Sequence, residues 1–240
     1  LPEGLQNNNV LCIFLDKDKN LWAGLNNGIS FIAYNAAVKY MRPDKKNDVS
    51  GYSCRVFNNQ LYIASSDGAF SVPLSGANTD LSFAKGDFSL IKNSSGQVWR
   101  LDEVNHQLLM GHHNGGFLIQ KNEATQLTRN GGNWLFVPTT TVYPSKYVLV
   151  GTYSGLVMFE FADNKLINNW EIKGPYESRR FLVVDNNNDI WSTHPYRGVY
   201  KILLAADNKS YTTELFTEKD GLPSALRNFI SFSISAIDCR

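Results

Sequence analysis

Five short polar loops carry the side chains in this sequence best suited to chemistry. They are Asn26-Asn27, Ser65-Ser66-Asp67, His112-His113-Asn114, Thr152-Tyr153-Ser154 and His194-Pro195-Tyr196-Arg197. Each runs into a glycine: Gly28, Gly68, Gly115, Gly155 and Gly198. Amides and hydroxyls donate and accept hydrogen bonds, aromatic rings cover apolar sugar faces, and a guanidinium offers a planar fork of donors. Recognition of a sugar is the chemistry this set suits, and a fork such as Arg197 favours an acidic one. The side chains nominated to contact a ligand are His113, Tyr153, Tyr196 and Arg197, with Arg179 from the stretch Tyr176–Arg180. The alternative is that these loops form an ordinary solvated polar face.

Other chemistries find less support. His112 and His113 are adjacent on an extended segment, so their side chains diverge, and no metal site is expected. His106 and His194 stand alone, without an identifiable acidic partner. No GxSxG, HExxH or phosphate-loop pattern occurs. Asp67, Asp102, Glu103 and Glu177 are the acidic residues near the expected face, and nothing lifts them above turn and rim residues. The chain is therefore expected to be non-catalytic and to need no cofactor. A propeller lyase or glycosidase and a protein-binding scaffold remain as alternatives. A lyase would need a histidine acid/base beside a carboxylate on the same face.

The elements that must position these loops repeat. Arg179–Ile202 reads as an apolar strand, an Asp/Asn turn, a tryptophan-bearing strand, a polar loop, a glycine and a third strand. The glycines recur at intervals of about 40 to 47 residues, the period of β-propeller blades. First strands are expected at Val10–Leu15, Ser53–Phe57, Val98–Val104, Trp134–Thr141 and Phe181–Val184. Weaker outer strands are expected at Val38–Met41, Phe88–Ile91, Gln126–Thr128, Leu166–Ile172 and Tyr211–Thr217. The expectation is an all-β propeller segment with blades at about 9–45, 50–93, 97–130, 132–172 and 179–217. Residues 220–240 would open a further blade. Trp22 and Trp191 share one repeat position and are expected to pack the blades, so Trp191→Ala should cost about 3 to 5 kcal/mol. Trp99, Trp134 and Trp170 sit elsewhere and receive no role.

A net charge of +1, from 23 basic and 22 acidic residues scattered singly, argues against a nucleic-acid or anionic-membrane surface. Cys12, Cys54 and Cys239 form neither a disulfide framework nor a zinc pattern. They read as buried free thiols, with Cys12 and Cys54 at equivalent places on neighbouring blades. The start at Leu1 and the partial last repeat suggest a piece of a longer protein.

The motifs Leu15–Ile29, Leu149–Leu156, Val183–Ile202 and DGLPS at Asp220–Ser224 resemble the two-component regulator propeller repeats of Bacteroidetes carbohydrate-responsive sensors. The second repeat departs from the pattern at Leu61-Tyr62-Ile63-Ala64, and the third carries Trp99 on its preceding strand. The resemblance implies a periplasmic, ligand-sensing segment of an inner-membrane regulator. Its partners would be a small molecule or oligosaccharide and the adjoining blades or domains of the receptor, with a homodimer as an arrangement it allows. A triple-tyrosine domain, a membrane helix and a kinase or helix-turn-helix output follow such propellers.

Overall fold

The computed structural model describes residues 5, 7–18, 20–32, 41–44, 47–74, 88–129, 131–140 and 143–226. Contacts divide the chain into two units, Leu1–Met41 and Arg42–Arg240.

The first unit holds one antiparallel sheet, β1 (Val10–Leu15), β2 (Leu21–Leu25) and β3 (Gly28–Ile32), in that order. The outer strand expected at Val38–Met41 falls largely outside the described residues. The turn after β1 explains why an aspartate precedes a tryptophan by six positions. Asp16 Oδ1 accepts the backbone N–H groups of Asp18 and Asn20, at 2.9 and 2.8 Å. Its Oδ2 accepts Trp22 Nε1–H at 3.0 Å, and the indole rests on Phe31, 4.6 Å away.

Among the described residues the second unit holds four blades, each an up-and-down antiparallel meander in sequence order. They are β4 (Gly51–Phe57), β5 (Gln60–Ser65), β6 (Gly68–Pro73) and β7 (Ser89–Leu90); β8 (Val98–Val104), β9 (Gln107–His112), β10 (Gly115–Gln120) and β11 (Glu123–Gln126); β12 (Asn133–Pro138), β13 (Tyr147–Thr152), β14 (Leu156–Ala162) and β15 (Lys165–Ile172); and β16 (Phe181–Val184), β17 (Ile190–His194), β18 (Gly198–Leu204) and β19 (Tyr211–Phe216). The first strands β4, β8, β12 and β16 are successive neighbours. Strand β11 begins earlier than Gln126 because Lys121-Asn122 turn the chain in two residues, both at positive φ. A 3-10 turn at Glu218–Asp220, closed by reciprocal Thr217 and Asp220 hydrogen bonds, opens the DGLPS segment. Residues 227–240 lie outside the described residues.

The third and fourth blades bury both faces, so β9, β13 and β14 are largely apolar runs that lose the alternation of a half-solvated strand. Leu101, Leu108 and Met110 of the third blade pack on Tyr62, Ala64 and Ala69 of the second, while Leu109 packs on Phe136, Val148 and Phe159 of the fourth. Leu135, Leu149 and Met158 pack on Leu182, Ile190 and Ile202 of the fifth. The close approach is set by small residues in the second strands. A Cβ on Gly111 would lie 2.5 Å from the Trp134 carbonyl oxygen, and one on Gly151 would lie 2.1 Å from that of Arg179. The landmark glycines Gly28, Gly68, Gly115, Gly155 and Gly198 all have positive φ, between 119° and 159°. At Gly115 and Gly198 a side chain would also strike backbone carbonyls, 2.1 Å from Thr128 O just past β11 and 2.2 Å from Phe216 O at the end of β19.

Three expectations change. Trp191 repeats the Trp22 clamp: Asp185 Oδ2 accepts its Nε1–H at 3.0 Å, and Asp185 Oδ1 accepts the N–H groups of Asn187 and Asp189. Its ring is half-buried against Phe216 and Lys201, so it ties a turn to a blade edge and does not fill a core. Cys12 and Cys54 are exposed free thiols rather than buried ones. Nor are they equivalent, because Cys12 pairs with Gly24 as Ser53 pairs with Ala64. That one-residue offset puts Cys54 on the other face of its blade.

Candidate functional site

Each first strand of the second, third and fourth blades carries a β-bulge at its second residue. The register skips from Gly51 to Ser53, from Val98 to Arg100 and from Asn133 to Leu135. The residues left out of the ladder are Tyr52, Trp99 and Trp134. In the fifth blade Phe181 pairs with Thr193 as Leu135 pairs with Gly151, so Arg180 holds the corresponding place. A bulge turns one side chain away from the blade faces. Because the first strands are neighbours, these four side chains meet.

Tyr52 and Trp99 have ring centroids 5.1 Å apart, and Trp99 and Trp134 4.8 Å apart. The Arg180 guanidinium lies 4.9 Å over Trp134 and 5.9 Å from Trp99. Tyr153 packs 4.7 Å from Trp134, and a Cβ on Gly132 would fall 2.3 Å from the Tyr153 ring, so that glycine admits it. Trp99 Nε1–H donates to the Tyr153 hydroxyl at 2.7 Å, and His113 Nδ1 lies 3.0 Å from the same oxygen. The one hydroxyl thus joins the indole of Trp99 to the imidazole of His113. Burial pushes the Tyr153 phenol's pKa up, opposed by the Trp99 bond and the Arg180 charge. Trp134 Nε1–H donates to Ser178 Oγ at 2.9 Å.

A cavity of about 290 Å³ opens beside this aromatic ladder, at the small end of ligand sites. Tyr52, Trp99 and Trp134 line it together with Arg55, Arg100 and Arg180. Arg55 Nε donates to the Leu101 carbonyl at 3.2 Å, and Arg100 Nε pairs with Asp102 at 2.9 Å. Asp102 is buried and also accepts the Phe136 N–H at 2.9 Å. Desolvation raises its pKa against the pull of Arg100, the Phe136 amide and Arg55.

The remaining nominated residues gather elsewhere. Glu177 sits between the fourth and fifth blades and binds Arg179 at 3.1 Å and Arg197 at 2.9 Å. Arg179 is only 1% exposed, its guanidinium lying 5.0 Å over the Tyr200 ring and 5.8 Å from Tyr211. It belongs to the interior. Arg197 is held by its carboxylate, and Tyr196 stands 75% exposed, edge-on to His194. Of the five nominated residues, only His113 and Tyr153 adjoin the ladder. The histidines have acidic neighbours after all: His194 Nε2 lies 3.7 Å from Glu177, and His106 Nδ1 lies 4.0 Å from Glu103. His112 turns inward, Nε2 3.1 Å from the Ser95 carbonyl, and diverges from His113. Among the described residues, no group of three or more His, Cys, Asp or Glu side chains could hold a metal.

Sequence reasoning missed Tyr52, Trp99, Trp134 and Arg180 because it aligned repeats on the landmark glycines. The turn between the first two strands is two residues at Asn58-Asn59 and Asn105-His106, but a longer loop joins Pro138 to Tyr147. Counting from the glycine therefore shifts the first strand. Alignment on the strand starts would have set Tyr52, Trp99 and Trp134 in one column.

Residues 4–27, ending in the first Asp–Trp clamp and the turn beyond it, match the two component regulator propeller family. The chain carries a two component regulator propeller repeat. Two solved structures from B. thetaiotaomicron are similar. The extracellular domain of the hybrid two component system BT4673 shares 15% identity with a TM-score of 0.55, over 87% of this chain and 31% of its own. That of BT3049 shares 16% identity, again with a TM-score of 0.55, over 96% of this chain and 32% of its own. At this identity the likeness is one of fold, and the chain spans about a third of either relative's length. No curated protein matches the sequence.

Proposed function

We propose that this propeller is the ligand-sensing part of an extracytoplasmic, carbohydrate-responsive regulator, and that it binds without catalysing. The observation that carries the reading is the aromatic ladder of Tyr52, Trp99 and Trp134, aimed by three bulges at one cavity. Indole and phenol rings cover the apolar faces of a sugar, and the polar groups beside them fix its hydroxyls. The propeller repeat and the fold shared with two extracellular sensor domains support the extracytoplasmic placement. The membrane anchor and the output module belong to the proposal, not to the described residues, among which no helix is long and apolar enough to cross a membrane.

A lyase would turn on His194 and Glu177. At 3.7 Å the two do not hydrogen-bond, and Glu177 already engages Arg179 and Arg197. The group reads as a tie between blades. The test is to place Trp99→Ala and Trp134→Ala in the intact receptor and follow induced transcription. Both should abolish induction at normal protein level, whereas Trp191→Ala should leave it in place. Normal induction in both ladder variants would overturn the assignment.

A further inference from the structure

Resting on that reading, we propose that the ligand is an anionic saccharide, a pyranose bearing a carboxylate or a sulfate ester, held by Arg180 and Arg55 while its ring lies on the Tyr52–Trp99 aromatics. The charge balance of the cavity carries the inference. Three guanidinium groups line it, and no carboxylate does. Asp102 pairs with Arg100 at 2.9 Å and acts on Arg55 only at longer range. Arg55 spends its Nε–H on a neutral carbonyl, and its terminal nitrogens keep their donors. Arg180 meets rings alone: Trp134, Trp99 and Phe181. Among the described residues neither Arg55 nor Arg180 has an ion-pair partner.

Two unpaired guanidinium groups beside aromatic rings repel each other and disfavour a cationic guest. A neutral sugar would leave both charges uncompensated as it displaced their water. An anion reverses that cost, because a carboxylate or sulfate accepts the planar fork bidentately with charge-assisted hydrogen bonds. Stacking also fixes the guanidinium plane of Arg180, so less side-chain freedom is lost when it binds. The fork that reading the sequence assigned to Arg197 is thus occupied there by Glu177 and left open here.

Calorimetric titration of the chain tests this with trigalacturonate, a sulfated heparin-derived tetrasaccharide and neutral cellotriose. At least one of the two anionic probes should bind, and cellotriose should bind at least about tenfold more weakly. Arg180→Gln should weaken the anionic probe by about tenfold or more, and Arg55→Gln should also weaken it. Raising the salt from 50 to 500 mM should weaken binding by the wild type more than by Arg180→Gln. Which probe binds tells carboxylate from sulfate. Equal binding of cellotriose, or anionic binding indifferent to Arg180→Gln and Arg55→Gln, overturns the anionic assignment while the sensing reading stands. Absence of binding by all three probes overturns the anionic assignment; if the ladder variants also induce normally in the intact receptor, the sensing reading falls with it.

Discussion

Gly151→Ala is the most informative single substitution, because one missing methyl group sets how the fifth blade meets the fourth. The added Cβ would lie 2.1 Å from the Arg179 carbonyl oxygen, 2.8 Å from Leu135 Cδ2 and 3.0 Å from Leu182 Cδ1. The two leucine contacts can ease by small side-chain shifts. The carbonyl cannot, because Arg179 N–H is bonded to Thr152 O at 3.0 Å and Phe181 starts a paired strand. The Arg179–Arg180 peptide must retreat by roughly 1 Å, and overpacking of this kind costs about 1 to 3 kcal/mol. For a chain of this size that lowers the thermal midpoint by roughly 2 to 12 °C. The same shift carries Arg180 off Trp134, so native-state tryptophan emission should also change. Urea denaturation and melting, compared with Gly51→Ala, supply the assay. A Cβ on Gly51 meets nothing within 4 Å, and that variant should stay within about 0.5 kcal/mol of wild type. If Gly151→Ala were no more harmful than Gly51→Ala, the account of how small residues space the blades would be wrong.

Three further outcomes follow from the hydrogen bonds. Trp191→Ala should cost about 1 to 2 kcal/mol in urea denaturation, below the 3 to 5 of a filled core, because its ring is half-buried and its loss frees one Asp185 bond. Tyr153→Phe keeps the ring but strips Trp99 of its acceptor and His113 of its hydroxyl partner; a loss of about 1 to 2 kcal/mol is expected, and an unchanged midpoint would show that these bonds contribute nothing. The Asp185 carboxyl is held below its ordinary pKa, chiefly by the Trp191 bond and against the desolvation that opposes it. Its contribution is therefore full above the unfolded value of about 3.9 and is lost as pH falls through the folded one. The gap in thermal midpoint between wild type and Asp185→Asn should shrink as pH drops below about 4, and a gap that widened would reverse the sign of the argument.

The fold was legible because blade physics writes itself into local sequence. Asp16 and Asp185 stand six residues before Trp22 and Trp191 since one carboxylate caps a turn and an indole together. The glycines at positive φ mark where the third strand leaves its turn. Short-range rules of this kind survive in a single chain. The candidate site was legible only in part. His113 and Tyr153 were visible as large side chains in equivalent loops, but Arg179 and Arg197 were misjudged, since nothing local reveals that Glu177 claims both. Trp99 and Trp134 lie 35 positions apart and meet only because two bulged strands are neighbours, a contact between blades that no repeat spacing records.

The five tryptophans offer the most direct test of whether the ladder is the binding surface. Each indole N–H of known partner reports a separate place: Trp22 on Asp16, Trp99 on Tyr153, Trp134 on Ser178, Trp170 on the Asn208 carbonyl and Trp191 on Asp185. Their proton–nitrogen resonances, assigned by single substitution, can be followed while a panel of neutral and acidic oligosaccharides is added. The account predicts that a bound saccharide shifts the Trp99 and Trp134 signals and leaves those of Trp22, Trp170 and Trp191 in place. Binding that moved Trp22 or Trp191 while Trp99 and Trp134 stayed still would contradict it.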